Sequence, residues 1–429
     1  MDKGIMSAPL PETKSSNGDN QHLCRFCRTP LRQTLVDLGM SPLCESYVTA
    51  KGLDQMEPFY PLHVRVCEQC FLVQVGDYVS SDHIFTEYAY FSSFSDTWLK
   101  HAADYVDMIV NRFNLGKASL AVELASNDGY LLQNFVKKGI PALGVEPAAN
   151  VAKVAVEKGV PTLVKFFGCE TARAMVTAGQ MADLIIGNNV LAQVPDLNDF
   201  VGGIRIILKP QGVVTLEFPH LMRMMAENQY DTIYHEHFSY FSFITAEKIF
   251  AAHDLVLFDV EELPTHGGSI RIYARHRGDG SKPVGQRVLE LRNRELSAGF
   301  DRVETYSTFG EKVKESKRRL LEFFIQAKRS GKRVAGYGAP GKGNTLLNYC
   351  GIRTDFLEFT VDRNPYKQGK FLPGTHIPIL TPDKLVEARP DYVLILPWNF
   401  KDEIIKQMAV IREWGGKFVV PIPTVEIIP

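Results

Sequence analysis

The chain has 429 residues yet offers almost no net charge, few cysteines and no long apolar run. Each shortage removes a class of function. Its 48 Lys+Arg balance 49 Asp+Glu, for a formal net charge of −1, so the basic excess that favours a nucleic-acid partner is missing. No run approaches the roughly 20 apolar residues of a membrane helix. The first 21 residues, "MDKGIMSAPLPETKSSNGDNQ", lack the apolar core of a secretion signal and read as a disordered leader. The expected location is the cytoplasm, where seven cysteines argue against a disulfide framework. No repeat of 20–50 residues is visible.

What is present is the composition of a globular protein, 45% hydrophobic and 23% charged, long enough for two to four domains. Residues 22–78 are short apolar pieces around paired cysteines. Residues 79–117 form an aromatic lead-in ending in "WLKHAADYVDMIVNRF", whose apolar spacing predicts a helix. Residues 118–282 alternate strands ("LAVELA", "PALGVEP", "MADLIIGNNV", "GVVTLEFP", "LVLFDVEEL", "GSIRIYARH") with helical stretches, predicting a mostly parallel sheet between helices. Residues 283–330 are a charged, amphipathic helical connector. In it "KVKESKRR" reads as a solvated helix face rather than a nucleic-acid patch. From 331 to 429 the alternation restarts as a second, smaller α/β unit.

The cysteines of "CRFC" (Cys24, Cys27) and "CEQC" (Cys67, Cys70) supply four thiolates, a donor set that suits a closed tetrahedral structural zinc. The 39-residue gap between the pairs requires intervening β-structure to bring them together. A redox dithiol would need a βαβ context, which is absent here. Cys44 reads as a spare thiol, and Cys169 and Cys350 as buried small apolar residues.

"LAVELASNDGYLLQNF" is an apolar strand, a small-residue turn (Glu123, Ala125, Asn127, Asp128, Gly129) and a helix. About twenty residues on, Glu146 ends the next strand, where a carboxylate can accept both hydroxyls of an adenosine ribose. A strand carrying Asn188–Asn189, a helix, and "LKPQG" before another strand complete an ordered series. It resembles the class I S-adenosylmethionine-dependent methyltransferases. In that fold the loop after the fourth strand packs on the methionine and adenine parts of the cofactor. Any Rossmann-like domain binding NAD is the competing interpretation.

The stretch "YHEHFSY" at 234–240 admits a metal site, a polar core or proton transfer. Together, the two cysteine pairs, "YHEHFSYFS", "THGGSIRIY" and the later "GYGAPGKGNT" resemble the zinc-containing sugar C-methyltransferases, in domain order as well as motif, from Cys24 to the C-terminus. That resemblance implies methylation of C3 of a dTDP- or GDP-linked 4-keto-deoxysugar, in branched deoxysugar biosynthesis. It also implies that His237 is the base, with Glu236 and Tyr234 at the sugar and Tyr88 (rival Tyr90) near the keto oxygen. Gln193 stands where many relatives carry histidine, and keeps hydrogen bonding without titration. His266, with Gly267 and Gly268, is expected either to border the site or to form a plain turn.

In "VAGYGAPGKGNTLLNY", Gly336-x-Gly338-x-x-Gly341 sits between strand and helix, a dinucleotide-type loop. Gly343 after Lys342 removes the hydroxyl that an ATP site needs for magnesium. A pyrophosphate cradle remains. Gly341 and Lys342 are therefore expected near the phosphates of the sugar nucleotide, with Asp362 or Asn399 at its base or ribose. The whole is expected to be α/β: a β-rich zinc-binding module, a Rossmann-like methyltransferase domain and a C-terminal Rossmann-like domain. Neither a nucleic acid nor a membrane is expected as partner, and a monomer is favoured. The competing functions are a zinc-knuckle nucleic-acid methyltransferase and an NAD-linked sugar-nucleotide oxidoreductase.

Overall fold

The computed structural model describes residues 22–79, 92–94 and 96–429. The leader, Tyr88 and Tyr90 lie outside the described residues. Three sheets form among those described. The N-terminal sheet is antiparallel, in the order Gln33–Ser41, Tyr60–Val66, Val73–Val75, Ser239–Tyr240. Its fourth strand comes from the "YHEHFSY" stretch, more than 160 residues later in the chain.

The central sheet runs Leu255–Leu263, Ser269–His276, Leu208–Pro219, Ala182–Asn188, Ala121–Leu124, Ala142–Val145, Thr162–Leu163. Its last five strands pair in parallel. The first two join as a hairpin and so run antiparallel. Every residue of Ala121–Leu124 is buried, as expected of a strand covered on both faces. The helix Leu197–Ile207 buries Leu197, Phe200, Val201, Ile204 and Ile207, the 3–4 spacing of one helical stripe. Asp196 caps it by accepting from the Asp199 N–H at 3.0 Å.

The C-terminal sheet is Ile379–Leu380, Thr360–Val361, Val334–Tyr337, Tyr392–Ile395, Lys417–Val420, Glu426–Ile428, parallel except for its last pair. The connector helix Phe309–Arg329 turns Phe309, Val313, Leu320 and Phe324 inward. Its Lys314, Arg318 and Arg319 pair with Glu311 and Glu315 in solvent, so "KVKESKRR" is a solvated face. One hydrophobic cluster joins the N-terminal sheet (Leu35, Val64) to the C-terminal one (Val334, Val393). A second joins Cys24, Cys67 and Cys70 to the central core. Cys350 is buried, as expected, but Cys169 is only half-buried. It opens the helix Cys169–Thr177 at the surface and donates its thiol to the Asp199 carbonyl at 3.3 Å.

Candidate active site

The four paired cysteines converge: their sulfurs all lie within 4.8 Å of one another. Cys24 and Cys70 are 3.5 Å apart, and Cys27 and Cys67 3.4 Å, close to the roughly 3.8 Å edge of a tetrahedron with 2.3 Å zinc–sulfur bonds. The two knuckles fold alike. Arg28 donates its N–H to Cys24 O and Phe71 to Cys67 O, and each takes a left-handed φ, 63° and 65°. Gln74 donates to Cys24 Sγ at 3.3 Å, fixing one ligand from outside. The donor set and spacing fit zinc.

A cavity of about 430 Å³ opens at the C-terminal edge of the central sheet. Its walls include Ala125, Asn127, Glu146, Asn188, Asn189, Gln193 and His266. The turn that shapes it is tight: Ala125, Asn127 and Gly129 all take positive φ. At Gly129 a Cβ would press within 3.3 Å of Val160 and Ala155. Glu146 accepts the N–H of Asn127 and of Ala148, each at 2.9 Å. Each carboxylate oxygen keeps a lone pair for a ribose hydroxyl. Burial raises its pKa, opposed by those two N–H groups. These walls fit a nucleoside with an apolar, aromatic surround.

Glu123, Asp128 and Gly129 are not on the cavity wall. Glu123 is buried, and burial raises its pKa well above the carboxylate range. Asp128 receives Lys158 Nζ at 3.1 Å and the Ser93 N–H at 3.3 Å. Trp98, Tyr130, Phe166 and Phe167 also line the cavity, and nothing in the sequence marks them for it. Aromatic residues in a chain with 26 Phe and 16 Tyr are not distinguishable from core by type alone.

Beside this cavity stands the "YHEHFSY" segment. His237 Nδ1 lies 3.1 Å from Thr232 O. A carbonyl only accepts, so Nδ1 carries the proton and Nε2 keeps its lone pair. Burial pulls His237 down to about 4, against the Thr232 bond, and the charges of His266 and Lys342 push the same way as burial. Tyr234 tilts over the ring at 4.1 Å between centroids. His235 is a support, packed edge-on against Tyr60 and Tyr78 and bonded to Pro61 O at 3.2 Å. Glu236 is buried, and burial, followed by the charge of Glu45, raises it to about 8. Its Oε1 lies 3.6 Å from the thiol of Cys44. Cys44 is therefore no spare; the N-terminal module places it between Glu236 and Gly341, whose Cβ would lie 2.8 Å from the sulfur.

His266 takes a left-handed φ of 54° in the turn Thr265–Gly267 and pairs with Asn189 Nδ2 at 3.0 Å. It packs edge-on to Trp98 at 5.0 Å, so it borders the cavity. Lys342 is half-buried, 2.8 Å from Asn399 Oδ1 and over the Trp398 ring at 4.7 Å. Neither Lys342 nor Asn399 is on the cavity wall. Asp362 accepts the N–H groups of Ala339 and Asn364 at 2.7 and 2.8 Å, and like Glu146 keeps a lone pair on each oxygen. Asp231 was unforeseen: it accepts the Trp398 indole N–H at 2.7 Å, and burial lifts it to about 6 against Lys342 and that bond.

Three family models match the chain: "Putative zinc binding domain" over residues 24–85, "Methyltransferase domain" over 98–260 and "C-methyltransferase C-terminal domain" over 264–423. The C-methyltransferase NovU of Streptomyces niveus is 35% identical over 405 residues, covering 94% of this chain and 96% of that protein. Solved structures matched include an S-adenosylmethionine-dependent methyltransferase from Clostridium acetobutylicum, with 13% identity and TM-score 0.34, over 42% of this chain and 92% of that one. Another is magnesium protoporphyrin IX methyltransferase from Synechocystis, with 13% identity and TM-score 0.31, over 42% and 81%.

Proposed function

Given that this chain belongs to the C-methyltransferase family and is an S-adenosylmethionine-dependent enzyme with a four-cysteine zinc module, we propose that it methylates C3 of a nucleotide-linked 4-keto-deoxysugar. The sugar is carried on dTDP or GDP. Bound S-adenosylmethionine supplies an electrophilic methyl group. Glu146 holds its ribose, Asn127 and Asn188 its flanks, and the aromatic wall its adenine. The zinc would be held by Cys24, Cys27, Cys67 and Cys70, with no position left for substrate.

A C–H beside a ketone is a weak acid, so a positioned base must take the proton. The observation that carries this reading is the Nδ1–H of His237 on Thr232 O. It leaves Nε2 unprotonated on a buried ring. Tyr234 and Glu236 flank the sugar, and Glu236, raised to about 8, is a donor at neutral pH. His266 and Gln193 border the sugar from the cavity side. Tyr88 is assigned to the keto oxygen, and Gly341, Asp362 and Asn399 to the nucleotide end.

The test is to incubate the protein with S-adenosylmethionine and dTDP- or GDP-4-keto-deoxysugars, following product mass and the C3 proton. One added methyl with loss of the C3 proton signal is expected. His237→Ala should lose the reaction and keep S-adenosylhomocysteine binding. Methyl appearing on oxygen, or near-full turnover by His237→Ala, would sink the reading.

A further inference from the structure

Lys342 sits on the helix Gly341–Cys350, and the placement of that helix decides where its ammonium goes. Thr345, three residues on and so on the same face, donates to Ile233 O at 2.9 Å. Ile233 adjoins Thr232, the residue that holds His237. On the other side the ammonium lies over Trp398, whose ring would be 2.6 Å from a Cβ at Gly267, next to His266. The C-terminal domain thus supplies one cation whose charge bears on both imidazoles, lowering each. That cation forms no ion pair among the described residues. Asp231, the carboxylate whose charge bears on it, binds the Trp398 N–H through one oxygen and makes no ion pair with it.

We propose that Lys342 is the group that receives the negative charge on the C4 oxygen of the substrate when His237 takes the C3 proton, rather than a ligand of the phosphates. This rests on the 4-keto-sugar reading above. In the step, the C3–H bond breaks and its proton moves to Nε2 of His237. The bonding pair becomes the C3–C4 π bond, and the carbonyl π pair moves onto oxygen, where the ammonium faces it. No co-reactant is needed. A fixed cation acts where charge develops and costs no reorganisation at that moment. A half-buried ammonium without an ion pair is otherwise a net cost to the fold. Burial lowers it to about 8, opposed by Asp231. The titratable groups facing it are Asp231, His237 and His266; Trp398 and Asn399 do not titrate.

The test is exchange of the C3 proton into deuterated buffer, using the 4-keto-sugar nucleotide with S-adenosylhomocysteine bound so that only enolisation is read. Lys342→Met should slow exchange roughly 100- to 1000-fold, with affinity for the bare nucleoside diphosphate within about threefold. Zinc content and S-adenosylhomocysteine affinity report that the variant is folded. Lys342→Arg should restore part of the rate, because a guanidinium keeps the positive charge. Wild-type exchange in Lys342→Met overturns the assignment. So does a loss that appears as weaker nucleoside diphosphate binding, which would make Lys342 a phosphate ligand. In both cases the C-methylation reading stands if His237→Ala abolishes exchange. A wild-type enzyme that exchanges no C3 proton overturns both.

Discussion

At the scale of single residues, the roles proposed for His237 and Lys342 set opposite limits on pH. His237 acts as a base when deprotonated, which its value of about 4 provides above that pH. Lys342 acts when protonated, which its value of about 8 provides below that pH. The expected kcat/KM profile therefore rises through about 4 and falls through about 8. His237→Asn should drop the plateau about 100- to 10,000-fold; an unchanged acid limb in that variant would mean another group is the base. Glu146 is a binding residue by contrast. Replacing a charged hydrogen-bond acceptor costs about 1.5–3 kcal/mol, so Glu146→Ala should weaken S-adenosylhomocysteine roughly 10- to 100-fold by calorimetry. A change under twofold would remove it from the ribose. Glu146 was legible because a strand end and a twenty-residue offset locate it. The direction of Lys342 was not, because helix phase against another domain is not written in any local pattern.

At the scale of elements, the strand Val73–Val75 connects the cysteine knuckles to the segment of the proposed base. It follows the second cysteine knuckle and pairs with Ser239–Tyr240, while the Val75 N–H bonds Phe238 O at 3.0 Å. The register of the "YHEHFSY" stretch is therefore set by the zinc module. Chelating zinc, or Cys67→Ser, should lower kcat well before it weakens S-adenosylhomocysteine, whose cavity no cysteine lines. Parallel losses of both would argue that zinc holds the whole fold instead. The cysteine pairs and the βα alternation could be read from sequence because each has a spacing. A two-residue strand such as Ser239–Tyr240 has none, so the fourth strand of the N-terminal sheet could not. The antiparallel edge of the central sheet also escaped, since "LVLFDVEEL" and "GSIRIYARH" carry no mark of strand direction. Behind that edge, Glu217 is fully buried, 2.6 Å from Arg271 Nη2 and 2.9 Å from His101. Burial would raise it, but these partners hold it down to about 2. Its folded value lies below the ordinary carboxylate value, so this stability is present above about pH 4 and lost as pH falls toward 2. Arg271→Leu strands that carboxylate and should cost about 3–5 kcal/mol in urea unfolding.

At the scale of the whole molecule, the N-terminal module, the central domain and the C-terminal domain each bring a part of the cleft. The central domain contributes the cofactor cavity, the N-terminal module sets the strand beside His237, and the C-terminal domain inserts Lys342 and Trp398. Trp398 is the contact through which the last of these is read. Its indole N–H holds Asp231, a fully buried carboxylate whose other oxygen has no partner. Asp231 lies in the turn Tyr230–Thr232, one residue before the carbonyl that fixes the tautomer of His237. Trp398→Phe keeps a ring under Lys342 but removes the N–H. An unsatisfied buried acceptor costs about 1–3 kcal/mol, and that loss should appear in urea unfolding. Because the turn then loses its anchor, kcat should fall at least tenfold, while S-adenosylhomocysteine affinity stays within twofold, since Trp398 is not on that cavity. Equal kcat in the variant would show that the Trp398–Asp231 bond does not hold the turn for catalysis. A fall in kcat without a change in cofactor affinity would place the catalytic geometry across the domain boundary.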